Sequence, residues 1–215
     1  YEMVMADGSV ITCSEDENID LYAAIPFSYG TLGFLTAVDI DIIPYKPYLK
    51  LTYTPVYSLD DVVDTFTNIT NDPKIDSVEG IMYTLDKAVI MSGVFTDDTS
   101  DPNVPVNHLG RWYKPWFYTY VENFLETGEH TEYIPTRDFF HRHNKAFFWL
   151  MKDVIGFANH PVFRFILGWS MPPKYSLLKL MRTKILPQEM AQGVNDYFVC
   201  QDFAFILDDL KKALV

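Results

Sequence analysis

The chain has 215 residues, 48% of them apolar and 16% aromatic, with a formal net charge of -12. That acidity excludes a phosphate backbone as the main partner, because nucleic-acid binding needs a basic face. No apolar run reaches the roughly 18 residues of a membrane span, and Cys13 and Cys200 are too far apart for metal-ligand spacing or a disulfide framework.

Asp7-Gly8, between "EMVMA" and "SVITC", predicts a hairpin. Ser14 with Glu17 three residues on predicts a capping box opening a helix through "ENIDLYAAI". The alternation in "FLTAVDIDIIP" predicts a strand running to Pro44. Between helix and strand lie Gly30 and Gly33. Tight packing of helix on strand accounts for both. So does a backbone that approaches a cofactor closely, which only a residue without Cβ allows. The spacing is neither the dinucleotide fingerprint nor a P-loop.

The character of the chain changes at Pro44 to Pro47, which puts a domain boundary between residues 1–45 and 46–215. "KPYLKLTYTPVY" predicts a strand, and "SLDDVVDTFTNIT" a helix starting at Ser58. "SVEGIMYTLDKAVIMSGVFT" predicts two strands joined near Leu85 to Lys87, and "DDTSDPNVPVN" a loop. From about residue 111 the pattern is helical and aromatic, through "RWYKPWFYTYVENFLE", "RDFFHRHNKAFFWLMKDV" and "PVFRFILGW". "MPPKYSLLKLMR" reads as a return to strand and "NDYFVCQDFAFILDDLKKAL" as an amphipathic helix. The fold class is α+β, with an antiparallel sheet in the second domain carrying helices on one face. Asn68-Ile69-Thr70 fits the glycosylation pattern and equally a chance surface triplet. The chain opens on Tyr1 inside a strand pattern and reads as an internal fragment of a longer protein.

"TRDFFHRHNKAFFW" sets Arg137, His141, Arg142, His143 and Lys145 among five aromatic rings. On a helix, Arg137 and His141 are i, i+4 neighbours. A metal site is disfavoured, since helical residues two apart point away from each other. Two readings stay open. In one, the cations form a structural network with Asp138 or Glu132 as counter-charge. In the other, they form a functional site in which a histidine donates a proton, with Tyr118 and Tyr133 as further candidate donors. The aromatic belts read as core or as the lining of an apolar pocket. Lys114 and Lys174, each beside a proline, read as solvated or capping residues.

The order of the D-G hairpin, the acidic "IDLYAA" segment and the "YGTLGF" loop resembles the second half of the FAD-binding domain in the vanillyl-alcohol-oxidase (PCMH-type) superfamily. "YIPTRDFFHRH", "GWSMPPKYSLLK" and "VCQDFAFILDDLKKAL" resemble, in order, segments of the delta(24)-sterol reductase family of seladin or Dwarf1 type. The stretch "MRTKILPQEMAQGVNDY" does not follow that pattern. The resemblance implies that Ser28, Gly30, Thr31, Gly33, Phe34 and Leu35 line FAD with their backbone. It implies that residues 46–215 are an incomplete substrate or cap domain. It further implies reduction of a delta-24 sterol side chain, with NADPH as ultimate reductant, and His141, His143, Arg137 and Tyr133 as candidate catalytic residues. The parent protein is expected at the endoplasmic reticulum membrane, contacting it through parts outside this chain. A non-catalytic sterol-binding scaffold and a flavin-linked oxidase of another apolar substrate are the alternatives.

Overall fold

The computed structural model describes residues 1–146, 152, 156–170 and 207–214. It divides into two compact units, Tyr1–Tyr45 and Lys46–Val215.

The first unit is a three-stranded antiparallel sheet in the order β2-β1-β3, from β1 (Glu2–Val4), β2 (Val10–Thr12) and β3 (Phe34–Ala37). Asp7 stabilises the first turn by accepting from the Ser9 amide and hydroxyl at 2.9 and 2.7 Å, and Gly8 takes φ 83°. Met3, Cys13 and Ile25 form the small core, with Leu21 and Tyr22 of α1 (Ile19–Ala24) against it. The predicted helix start at Ser14 is corrected. Ser14 Oγ accepts from the Asp16 and Glu17 amides at 3.2 and 3.1 Å, but this closes a separate turn. The helix begins only after Asn18, which sits at φ 51° and donates from Nδ2 to the Thr12 carbonyl at 2.7 Å. Strand β3 also ends at Ala37 rather than Pro44. Its pairing with β1 ends at Glu2↔Ala37, and Ile40, Ile42 and Ile43 lie beyond that partner, exposed.

The second unit is built on an antiparallel sheet in the order β5-β6-β4-β7. Its strands are β4 (Tyr48–Val56), β5 (Ser77–Met82), β6 (Ala88–Thr96) and β7 (His130–Pro135). Among the described residues its named helices are α2 (Leu59–Thr70), α3 (Phe117–Glu122), α4 (Phe124–Thr127), α5 (Thr136–Phe140), α6 (Pro161–Leu167) and α7 (Leu210–Ala213). Ser58 caps α2, its Oγ accepting from the Asp61 amide at 3.1 Å.

Alternation along the strands sends Leu49, Leu51, Tyr53, Val89 and Met91 to one face, where Phe117, Val121, Phe124 and Phe139 cover them. Val56, Ala88 and Ile90 point to the other face, under Phe66 and Ile69 of α2. Helices therefore lie on both faces of the sheet, a correction to the one-sided expectation. The acidic and β-branched α2 packs on one side while the aromatic segment after Pro115 packs on the other.

Strand β7 replaces part of the expected helical run. It joins β4 from Tyr48↔Pro135 to Tyr53↔His130, and Pro135 is tolerated because the strand lies at the sheet edge. The helix expected through "RDFFHRHNK" stops at Phe140, and His141 to Lys145 form turns. The segments 147–151, 153–155 and 171–206, with Lys174, Cys200, the expected "MPPKYSLLKLMR" strand and most of the C-terminal helix, lie outside the described residues.

Candidate functional site

Strand parity and the turn after α5 together assemble a charged cluster on the larger-core face. Glu79 of β5 pairs with Met91, placing its side chain on that face. Arg142 donates from Nε to Glu79 Oε2 at 3.1 Å and from Nη2 to the same oxygen; Nη1 donates to the Phe139 carbonyl at 2.8 Å. Its guanidinium lies 3.9 Å from the Phe139 ring centroid and 5.6 Å from that of Phe117. His143 Nε2 is 3.3 Å from Glu79 Oε1, and its ring meets Phe117 edge-on at 5.4 Å. Burial alone raises the Glu79 pKa, but the His143 hydrogen bond and the Arg142 charge outweigh it, and the carboxyl titrates below its usual range.

The other predicted residues are dispersed. His141 and Arg137 are exposed, and His141 Nδ1 meets only Asn144 Nδ2, at 3.0 Å. Tyr133 is buried on the opposite sheet face from His143, paired with Lys50, whose ammonium stands 5.7 Å from the ring centroid. Tyr118 is buried in the larger core. Of the proposed counter-charges, Asp138 accepts from the Gly110 amide at 3.0 Å, and Glu132 serves a separate network. Glu79, not either of these, holds Arg142 and His143.

Glu132, 2% exposed, accepts from Tyr53 OH at 2.7 Å, Asn107 Nδ2 at 3.1 Å and Tyr120 OH at 2.8 Å. Burial and the Glu132 carboxyl together hold the Tyr53 hydroxyl well above the usual tyrosine range. Sequence reasoning missed Glu79 as an inward, paired acid, and it assigned Glu132 to the Arg–His cluster rather than to Tyr53, Asn107 and Tyr120. The available signal was parity: Glu79 shares a face with Ile81, and Glu132 with Ile134. An acid at an apolar parity position is a buried acid with a partner.

In the first unit, the glycine loop carries three non-glycine or glycine residues in left-handed backbone, at Phe27 (φ 64°), Tyr29 (φ 52°) and Gly30 (φ 75°). Thr31 Oγ1 donates to the Ser28 carbonyl at 2.7 Å. Space for a Cβ at Gly30 is open, so only its backbone angle requires glycine. At Gly33 a Cβ would lie 2.9 Å from the Val4 carbonyl oxygen and 3.0 Å from Met3 Cε. The close approach that demands glycine there is to β1 itself. Phe34 and Leu35 open β3 and are exposed. Among the described residues no cluster of His, Cys, Asp and Glu has the arrangement to hold a metal ion.

These features define an α+β protein with a charged, aromatic cluster held between an antiparallel sheet and the helices on one of its faces. Searching against protein-family models gives no match. Among curated proteins, all 215 residues are 46% identical to the delta(24)-sterol reductase of Homo sapiens, covering 40% of that protein. A delta(24)-sterol reductase of Arabidopsis thaliana is 41% identical across the whole chain and 39% of its own length. A delta(24)-sterol reductase homolog of Caenorhabditis elegans is 37% identical, again over the whole chain and over 42% of its own length. The chain is thus a homologue of the delta(24)-sterol reductases of animals and plants, and it spans about 40% of the length of these relatives.

Proposed function

We propose that this chain is part of an FAD-dependent enzyme that reduces the delta-24 double bond of a sterol side chain, with NADPH as ultimate reductant, at the endoplasmic reticulum membrane. The observation that supports the reading is identity of 41 to 46%, over the whole of this chain and about 40% of their own length, to reductases named for that reaction in a plant and an animal.

The first unit would take part in holding FAD. Ser28, Gly30, Thr31, Gly33, Phe34 and Leu35 offer backbone and the exposed Phe34 ring, which suit the uncharged parts of the cofactor. Residues 1–45 contain no Lys, Arg or His, so in this unit only backbone N–H groups would be available to the pyrophosphate. The hydride is chemistry that reduced flavin supplies when bound.

The second unit would supply the substrate side. An isolated alkene gains positive charge as a proton arrives, so a positioned acid in an apolar, aromatic setting suits the step. Among the candidates, His143 is the best supported acid: Glu79 fixes its ring, and Phe117 shields one edge. Arg137 and His141 are better suited to binding than to proton delivery, since both are exposed. Tyr133 faces away from His143, so it would serve only a ligand on the other side of the sheet.

A chimera tests the reading. These 215 residues replace the matching segment of the human reductase, and the purified protein is assayed with NADPH and desmosterol. We expect retained flavin and sterol reduction, with His143→Ala lowering turnover at least tenfold at normal flavin content. A folded, flavin-loaded chimera that reduces no sterol overturns the assignment. An unchanged rate in His143→Ala removes that residue from the reaction.

A further inference from the structure

We propose that Asp138 and Lys145 form a clasp on the Leu109–Gly110 peptide that positions His143 for the proton transfer proposed above; the catalytic role rests on that reading, the clasp on geometry alone. Residues 107–116 run from the edge of β7 to the start of α3. At one end the Asn107 amide donates to the Tyr133 carbonyl at 2.7 Å, and at the other the Trp116 amide donates to Asn159 Oδ1 at 3.1 Å. Between these ends Leu109 is buried in the larger core, while Trp112 and Tyr113 stand exposed and meet edge-on at 5.4 Å.

The middle of the segment is gripped by charge. Asp138 Oδ2 accepts from the Gly110 amide at 3.0 Å, and Lys145 Nζ donates to the Leu109 carbonyl at 2.6 Å and to the Arg111 carbonyl. The Leu109 carbonyl and the Gly110 amide are the two poles of one peptide group. A carboxylate holds its positive end and an ammonium its negative end, and hydrogen bonds to ionised partners are roughly twice as strong as neutral ones. Glycine makes the approach possible: a Cβ at position 110 would lie 2.5 Å from Asp138 Oδ1 and 2.9 Å from its Cγ. Among the described residues neither Asp138 nor Lys145 forms an ion pair, so both charges are directed at this backbone.

The two gripping residues bracket the turn that carries His143. Asp138 lies in α5, ahead of His141–Asn144, and Lys145 follows directly after. With five residues, α5 is too short to be stable by itself. The turn has its own bond from the Asn144 amide to the His141 carbonyl at 3.0 Å, and it reaches the sheet through Arg142 and His143 on Glu79. Clasping one peptide from both shoulders of the turn fixes how far His143 stands from Glu79.

Two readouts test this. In the isotope-labelled 215-residue chain, Lys145→Met or Asp138→Ala should speed amide hydrogen exchange at Gly110 by about tenfold or more. Both should also move the ring nitrogen resonances of His143 toward those seen in Glu79→Gln. In the chimera with the human reductase, Lys145→Met should lower kcat by about tenfold or more, with flavin content kept and KM nearly unchanged. Lys145→Arg keeps a positive donor and should restore most of kcat. Circular dichroism checks each fold, and if Lys145→Met does not fold, Asp138→Ala decides on the same readouts.

Gly110 exchange and a His143 ring both unaltered in Asp138→Ala overturn the proposal. Faster exchange with an unaltered ring, or an altered ring with unchanged kcat, would make the clasp merely structural and overturns it too. A chimera that reduces no sterol before any of these substitutions overturns the reading of the reaction instead. The His143 ring in the 215-residue chain then decides whether the clasp positions it.

Discussion

Replacing Glu132 by leucine should unfold the second unit far more readily than its single position suggests. The carboxyl is 2% exposed and satisfies three donors: Tyr53 OH, Asn107 Nδ2 and Tyr120 OH. Tyr53 and Asn107 are themselves buried, whereas Tyr120 is half-buried and reachable by water. Leaving a buried donor unpaired costs about 1–3 kcal/mol. Two such donors set the expected loss at about 2–6 kcal/mol, against a total of about 5–15 kcal/mol for a typical domain. Urea unfolding followed by tryptophan fluorescence is the assay, and it reports on the second unit alone because residues 1–45 contain no Trp. Adding Tyr53→Phe and Tyr120→Phe to Glu132→Leu should recover about half of the loss, since both phenol donors then leave with the acceptor while Asn107 Nδ2 stays unpaired. A loss under about 1 kcal/mol for Glu132→Leu, or no recovery in the triple variant, would refute the reasoning.

Three further outcomes follow from the same structure. The folded pKa of Glu79 lies below its unfolded value, so its stabilisation is present above the unfolded carboxylate range and is lost as pH falls through the folded pKa; Glu79→Gln should flatten the acid limb of a stability-against-pH curve, and an unaltered limb would count against the Arg142–His143 anchor. Burial pushes Lys145 down to about 8, with Asp138 opposing the shift and Arg164 and Lys114 adding to it. The unfolded chain then binds more protons than the folded one between about pH 8 and the ordinary lysine pKa of about 10.4, so stability should rise with pH across that window and the rise should vanish in Lys145→Met. Gly33→Ala should loosen the β1–β3 pairing, because its Cβ would meet the Val4 carbonyl at 2.9 Å; hydrogen exchange at Met3 and Leu35 should quicken, and unchanged protection would show that the sheet yields at no cost.

Local signals in the sequence set most of the regular elements. Asp7-Gly8 fixes the first hairpin, Ser58 caps α2, and the alternation through β4, β5 and β6 sets their period and their inward side chains, because turn angles, caps and two-residue periodicity are properties of neighbouring residues. The family resemblance was legible as well, in "YIPTRDFFHRH" and "GWSMPPKYSLLK". Strand β7 was not, since Glu132 sits at an inward position and breaks the apolar alternation that marks a strand; only Tyr53, Asn107 and Tyr120, brought in from three other segments, make that burial tolerable. Ser14 and Glu17 carry a helix-start pattern that closes only a turn, because Asn18 is tied back to the Thr12 carbonyl. The spacing of "RDFFHRH" put Arg137 and His141 together, yet the helix stops at Phe140 and the partner that matters, Glu79, lies on a strand at the far edge of the sheet from β7. Which charges meet is a matter of long-range geometry: strand order and face decide it, and neither is written in the spacing of neighbouring residues.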